Sequence, residues 1–473
     1  MQSSLRRVAA ASIPLALLAS SALASDAKTT MRPVPMTVTA RLAGPFARPF
    51  AVSSAFYGGG ATLPIVGYLG GSLSSGTAGV AAPGNGSVFG FWETNAGGSA
   101  PKTQYCATGS GKGKGVFTGP AGTVKNLCSN ASTGSGTVGF AASSGQITQS
   151  YPNFAGSDAP LLQSDYSVFL GNNPAPREPV ELPSIIGSIA MYYTNSSISQ
   201  STHAALSDAD ICGIVLGRIT NWSQLSGHYP AKPLTLVYRS DGSGTTFNFS
   251  NHLSAVCGST AITTSQQFTV SSPAAPPYVV NSVPAGAIGA KGNGGVVSAI
   301  AAKDGAIGYA EAANILKNLT GGSNYALVRG FDPVKNLPEA ANSLRYSSGT
   351  VAPNSAVVVT QAHPATTAPL TGVRGGTCVL LVKPQGYAVP PAGYPIIAVT
   401  YLLFSSNGNG SNSTPLRSLI NDLNTPADFG PAPRIATVNV ATQAAGTGTT
   451  GYSGIGSTFN SQLKSTASSC IGA

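Results

Sequence analysis

The sequence predicts an α/β protein, and three features beyond about residue 150 carry that prediction. Ser184 to Thr194 and Tyr394 to Phe404 are nearly continuous apolar runs, the pattern of strands buried on both faces. Leu206 to Gly217 and a segment opening at Thr414 space their apolar residues by three and four, as helices do. Between them, Pro233 to Val256 reads as strand, loop and helix in succession. Alternation of this kind favours an α/β architecture.

Taken from the N-terminus, Arg6 and Arg7 precede an apolar stretch, Val8 to Leu18, that is too short to span a bilayer, and Ala22-Leu23-Ala24 offers a cleavage site. Residues 1–24 are therefore expected to be a signal peptide. Residues 25–55, with Pro33, Pro35, Pro45 and Pro49 and no sustained periodicity, read as an extended leader. No cysteine sits near the cleavage site, which argues against a lipid anchor. No later stretch has the 18 or so apolar residues a membrane helix needs, so the expected location is periplasmic or secreted, without stable membrane insertion. From Gly58 to about Ser150 the chain is rich in Gly, Ser, Thr and Ala, and ordered loops are expected there. In the helix at Leu206 to Gly217, Ser207 is the N-cap, Asp210 follows three residues on, Ile211, Ile214 and Val215 share a face, and Gly217 ends it. In the later helix, Thr414 and Pro415 form the first turn before Leu416, Leu419, Ile420 and Leu423.

Composition narrows the ligand. Only 8% of residues are charged, the formal charge is +10, and glycine numbers 58 of 473. An excess of positive charge suits nucleic acid, a membrane surface or small anions, but no run of five Lys/Arg and no basic stripe with aromatics occurs. Small anions fit best, and nucleic acid is not expected. Six cysteines, Cys106, Cys128, Cys212, Cys257, Cys378 and Cys470, make an even set without a C-x-x-C pair, which reads as disulfides in an exported chain. Pairing in order along the chain is the working assignment, although six cysteines allow 15 connectivities.

The chemistry concentrates at Arg239-Ser240-Asp241-Gly242-Ser243-Gly244-Thr245-Thr246, between the alternating run Pro233 to Tyr238 and the helical spacing of Thr246, Phe249, Leu253 and Val256. A loop entering a helix leaves the first amides of that helix unpaired, and the helix dipole favours an anion there. Gly242 and Gly244 permit close backbone approach, Ser243, Thr245 and Thr246 supply hydroxyls, and Arg239 offers a fork for two oxygens. Asp241, two residues on, is placed to orient Arg239. On residue types alone the loop is either an anion nest or an ordinary capped turn.

Its spelling resembles, almost letter for letter, the ligand segment of periplasmic phosphate-binding proteins, the receptors of phosphate ABC importers. Gly58 to Pro64, Gly109 to Lys114 and Phe154 to Leu161 resemble that family's other ligand loops in the same order. Leu216 to Trp222 and Gly305 to Tyr309 resemble structural stretches of it. The first two loops and Phe154 to Asp158 are closest to the DING subgroup, although the Asp-Ile-Asn-Gly start is absent and the insertion carrying Cys106 and Cys128 has no counterpart in the plainest receptors.

The resemblance implies a type II periplasmic-binding-protein fold, two α/β lobes joined by two crossover strands with a ligand cleft between them. Its expected bounds are 56–187 and 319–473 for the first lobe and 188–318 for the second, with crossovers near Leu182 to Ile189 and between about Gly308 and Gly321. The phosphate ligands it implies are Thr62, the Leu63 amide, Ser110 and Asp158 from the first lobe, and Arg239, Ser243, Gly244 and Thr245 from the second, with Asp241 in support. Lys112 and Lys114 would raise the local potential. Asp158 gives a route to specificity: a carboxylate tolerates an anion only if a proton lies between them, and phosphate carries one near neutral pH where sulfate does not. Neither cofactor nor metal is implied, and the partners are inorganic phosphate and an ABC permease.

A phosphomonoesterase, an activity linked to some DING relatives, is the alternative, and an extracellular scavenging or adhesion protein is a third reading. No segment fits G-x-x-x-x-G-K-[ST] or G-x-S-x-G, and His203, His228, His252 and His363 are isolated. Trp92 and Trp222 read as packing residues.

Overall fold

In the computed structural model, the described residues are 55–69, 87–95, 102–119, 152–173, 176–258, 262–268, 283–317, 319, 322–344, 357–359, 367–369, 378–422, 451–455 and 457–472. The expected signal peptide, the leader up to residue 54 and Cys128 lie outside them.

Strands and helices interleave along the described residues. Its first part runs β1 (Ala55–Gly60), α1 (Ile65–Leu69), α2 (Val88–Asn95), β2 (Lys102–Ala107), α3 (Ser110–Thr118), β3 (Ala155–Ser157) and α4 (Gln163–Asn172). The long strand β4 (Pro179–Thr194) follows, then β5 (Ala205–Leu206), α5 (Asp208–Val215), β6 (Thr235–Arg239), α6 (Gly244–Val256), β7 (Ile288–Ala290), α7 (Gly292–Ala301), β8 (Ala306–Glu311) and α8 (Ala312–Lys317). The rest comprises β9 (Ser323–Tyr325), β10 (Leu327–Val328), α9 (Leu337–Ser343), β11 (Val357–Val359), β12 (Thr367–Pro369), α10 (Pro384–Tyr387), β13 (Ile397–Ser405), α11 (Ser413–Asp422), β14 (Tyr452–Ser453) and α12 (Ser457–Cys470).

Among the described residues one mixed sheet runs in the order β2-β1-β3-β13-β4-β8-β6-β7, with β14 and β9 also pairing β4. β4 organises it. Residues 179–188 pair antiparallel with β13, and from Ile189 the partner becomes β8. One continuous strand therefore belongs to two parts of the sheet, and every residue of it is buried, which explains its long apolar run. β4 begins five residues before the apolar run because Val180 and Leu182 alternate with Glu181 and Pro183. Pro183 is accommodated by a bulge: Thr400 faces Ile185 and Tyr401 faces Pro183, so Ser184 is the extra residue. β9 still pairs with the far end of β4, and β10 with β5.

Capping follows the sequence. In α5, Ser207 Oγ accepts from the Asp210 amide at 3.1 Å while Asp210 Oδ2 accepts from the Ser207 amide at 2.8 Å, a reciprocal capping box. In α11 the first residue is Ser413, one earlier than expected, and Leu416, Leu419 and Ile420 are fully buried. Trp92 and Trp222 are buried in the core, as expected. Disulfides join Cys212 to Cys257, tying α5 to the end of α6, and Cys378 to Cys470, tying α12 to the strand-like segment beside Glu181. Cys106 is disulfide-bonded as well. No helix among the described residues is long and apolar enough to cross a membrane.

Candidate functional site

Parallel strands end on one side of a sheet, and the segments leaving β1, β2, β3, β6 and β7 meet there. These are the strand ends where open α/β sheets place their ligands. The first three deliver Thr62 and Leu63, Ser110 at the start of α3, and Asp158. The other two deliver Arg239 to Thr245 and the first turn of α7. Ser110, Ser243 and Thr245 are fully buried, and Thr62, Asp158 and Arg239 are 7%, 1% and 1% exposed.

Asp158 is the focus of hydrogen bonds from three directions. Its Oδ1 accepts from Thr400 Oγ1 at 2.7 Å, its Oδ2 accepts from Ser110 Oγ at 3.3 Å, and the Leu63 amide donates to the carboxyl group. The Asp158 amide donates in turn to Ser110 Oγ at 3.0 Å. Burial is the largest influence on this carboxyl and pushes it up to about 7, against the opposing pull of Thr400, the Arg239 charge, Ser110 and Leu63. Near neutral pH the group is thus poised between acid and carboxylate. Thr400 reaches it because it lies in β13 opposite the Ser184 bulge, where the register slips.

Arg239 ends β6. Its Nε donates to Asp241 Oδ1 at 2.6 Å and its Nη2 to Asp241 Oδ2 at 2.5 Å, a side-on bidentate pair. Asp241 also accepts from the Gly292 amide at 3.1 Å. Burial alone would raise the Asp241 carboxyl, but the Arg239 charge and hydrogen bonds and the Gly292 amide hold it below its usual range. With one flank held by Asp241, the end of the guanidinium faces the other site residues. Nη1 lies 3.1 Å from Thr62 Oγ1, 3.4 Å from Thr245 Oγ1 and 3.2 Å from Asn293 Oδ1.

The start of α6 closes against the first group of loops. Ser243 is its N-cap and accepts from the Thr246 amide at 3.0 Å, which leaves the Ser243 hydroxyl proton free to be donated elsewhere. A methyl group on Gly244 would stand 2.5 Å from Asp158 Cβ and 2.8 Å from its Cα, so only glycine lets the two segments approach. Asn248 Nδ2 donates to the Asp158 carbonyl at 2.5 Å and to the Gly244 carbonyl at 2.8 Å. The Gly111 amide donates to the Gly242 carbonyl at 3.0 Å.

Two expectations are corrected. Thr246 does not add a hydroxyl to the cluster: its Oγ1 pairs with Tyr309 at 2.7 Å, because it shares the inward face of α6 with Phe249, which stacks on the same ring. Lys114 is not a free cation at the rim. It is buried, one helical turn after Ser110, and binds Asp165 at 2.6 Å and the Pro160 carbonyl at 3.3 Å, bracing the segment that follows Asp158. His252 is also buried, its Nδ1 2.8 Å from the Ala388 carbonyl.

Thr400, Asn248 and Asn293 went unread in the sequence. Thr400 is a single polar residue in an apolar run. Asn293 did carry a signal, since Ile288 to Ala301 repeats the pattern of short strand, glycine loop and helix seen at Arg239. Among the described residues no group of His, Cys, Asp and Glu could hold a metal ion.

A family model described as PBP superfamily domain matches residues 92–410. The chain is 31% identical over 264 residues to the alkaline phosphatase L of Pseudomonas aeruginosa strain UCBPP-PA14, covering 54% of this chain and 62% of that protein. It is 28% identical over 314 residues to a phosphate-binding protein of an unknown prokaryotic organism, covering 64% and 74%. The match to the first relative thus leaves more than a third of that protein's length uncovered. A solved structure of a high-affinity periplasmic phosphate-binding protein, bound with phosphate at pH 8.5, superposes with a TM-score of 0.56 at 23% identity over 87% of this chain and 93% of that one. At that identity the likeness establishes the fold.

Proposed function

The chain belongs to the PBP superfamily domain family, and from that premise we propose that it binds inorganic phosphate with high affinity in the cleft beside β4. The ligand set we assign is Thr62, the Leu63 amide, Ser110 and Asp158 on one side and Arg239, Ser243, the Gly244 amide and Thr245 on the other, with Asp241 holding Arg239. We assign residues 56–187 and 319–473 to the first lobe and 188–318 to the second, a division supported at its first boundary by the change of β4's partner at Ser188 and Ile189. After export to the periplasm or the medium, the protein serves uptake through an ABC permease or scavenging.

One observation carries the reading: a buried carboxyl, Asp158, stands among buried groups that can only donate or are free to donate. Arg239 and the amides have no acceptor to offer, and the hydroxyls of Thr62, Ser243 and Thr245 can turn toward an incoming oxygen. With Asp158 as the carboxylate, above about pH 7, a fully ionised anion would be met well by every group except Asp158. An anion that still carries a proton meets Asp158 too, and phosphate has that proton where sulfate does not.

Calorimetry on the purified protein with phosphate and with sulfate tests this. The wild type binds phosphate and prefers it to sulfate, and Asp158→Asn narrows that preference by about 10- to 100-fold, the cost of mispairing one buried polar group. Absence of phosphate binding by the wild type would sink the reading.

One contact favours a second reading, phosphate-ester hydrolysis: Ser110 Oγ lies 3.3 Å from Asp158 Oδ2, a hydroxyl beside a base poised near neutrality. The burial of Ser110 and Asp158 argues against it, since an ester's leaving group would need space beside them. Turnover of a phosphate ester that disappears in Ser110→Ala would revive it.

A further inference from the structure

We propose that Asn293 belongs to the anion site as a two-ended residue, fixing the Arg239 fork through Oδ1 and donating to the bound anion through Nδ2. The inference rests on the phosphate-binding reading above.

Hydrogen-bond accounting on Arg239 leads to it. A guanidinium has five N–H groups and no acceptor. Asp241 takes two of them, from Nε and Nη2. Asn293 takes one, from Nη1. The second N–H of Nη1 faces the Thr62 and Thr245 hydroxyls at 3.1 and 3.4 Å, and one N–H of Nη2 remains; turned from those hydroxyls to an anion, the Nη1 group completes with Nη2 the end-on fork that binds two oxygens of a tetrahedral anion. Without Asn293 the Nη1 end would be held only by the Thr62 and Thr245 hydroxyls, the groups that turn to the anion in the reading above.

The same contact fixes the amide. Because Arg239 can only donate, the oxygen of Asn293 must face it, and the NH2 group therefore faces away from the guanidinium. Asn293 is 1% exposed, and Nδ2 has no hydrogen-bond partner. A buried donor without an acceptor is costly and uncommon.

The surroundings place this amide at the cluster. Asn293 is the second residue of the ten-residue helix α7. Gly292, just before it, donates to Asp241, and a methyl group there would lie 3.7 Å from Thr62 Cγ2. Gly292 has φ +67°, a left-handed conformation that brings the helix start down onto these residues. The site thus has a helix N-terminus on each side of Arg239, those of α6 and α7, and both favour an anion.

The test is calorimetry with inorganic phosphate on the full protein and on four variants, with thermal melting in phosphate-free buffer as a control. Asn293→Ala loses both ends of the amide, and its phosphate affinity is expected to fall about 10- to 100-fold. Asn293→Asp is nearly isosteric and keeps an oxygen for Arg239 but lacks the donor and adds a negative charge, and its affinity is expected to fall further than that of Asn293→Ala. In an Arg239→Lys background, which lacks the fork, Asn293→Ala is expected to cost at least about threefold less than it does in the wild type. A phosphate affinity within about threefold of wild type for Asn293→Ala overturns the proposal. A wild-type affinity in Asn293→Asp overturns its donor half, and an undiminished Asn293→Ala effect in the Arg239→Lys background overturns its positioning half. If the wild type gives no heat with phosphate, the underlying function falls as well, an outcome distinct from phosphate binding that Asn293 does not affect.

Discussion

Asp241 shows how much of the chemistry could be read one residue at a time. A carboxylate two positions after an arginine, in a glycine turn, has little to pair with but that arginine, and the two form a flank-on ion pair. Arg239→Ala would leave the partly buried Asp241 carboxylate, 18% exposed, opposite no cation. It is expected to abolish measurable phosphate binding in calorimetry and to destabilise the fold by about 1–3 kcal/mol in denaturant unfolding, less than the loss of one partner of a fully buried pair. Unchanged stability would mean that the pair is effectively solvated. Thr246 and Lys114 were misread although their spacing held the answer. Thr246 lies three residues before Phe249 and Lys114 four after Ser110, so each shares a buried helix face with its neighbour. Thr400 had no such pattern, because its role depends on a bulge in a strand more than 200 residues away in sequence.

Elements were more legible than contacts. The period of apolar residues located β4, β6, β13, α5, α6 and α11 to within a few residues, since burial imposes that period directly. The start of β4 was obscured because Glu181 and Pro183 interrupt the apolar run, and only a bulge reconciles a proline with a buried strand. An exacting contact between elements is that of α6 with the Asp158 segment, where Gly244 is the spacer. Gly244→Ala adds no charge and removes no ligand, yet it should lower phosphate affinity by about 10-fold or more, because overpacking there costs roughly 1–3 kcal/mol. The melting temperature in phosphate-free buffer should change little, because the two segments can separate. Wild-type affinity in this variant would show that the anion is held without that approach.

Among the described residues, three buried carboxyls have an ionisation that opposes folding. Burial pushes Asp158 up to about 7 and Glu181 and Glu311 up to about 8, from ordinary values of 3.8, 4.5 and 4.5. Between about pH 4 and 8 the folded chain therefore holds protons that the unfolded chain has released, so stability falls as pH rises through this window. Asp208, held down to about 2 by His252 and Arg329 despite its burial, acts only below pH 4 and does not offset the trend. Thermal melts in phosphate-free buffer should show a melting temperature several degrees higher at pH 5 than at pH 8, with a shallower slope in Asp158→Asn. A flat or rising profile would contradict the burial of these groups as charged-form penalties. The bond from the Gly111 amide to the Gly242 carbonyl has a different kind of consequence. It is made by backbone alone, so under the proposed function it would hold the two groups of loops together whatever anion lies between them. Selectivity would then be left to the side chains, while this latch would set how long a captured ion stays.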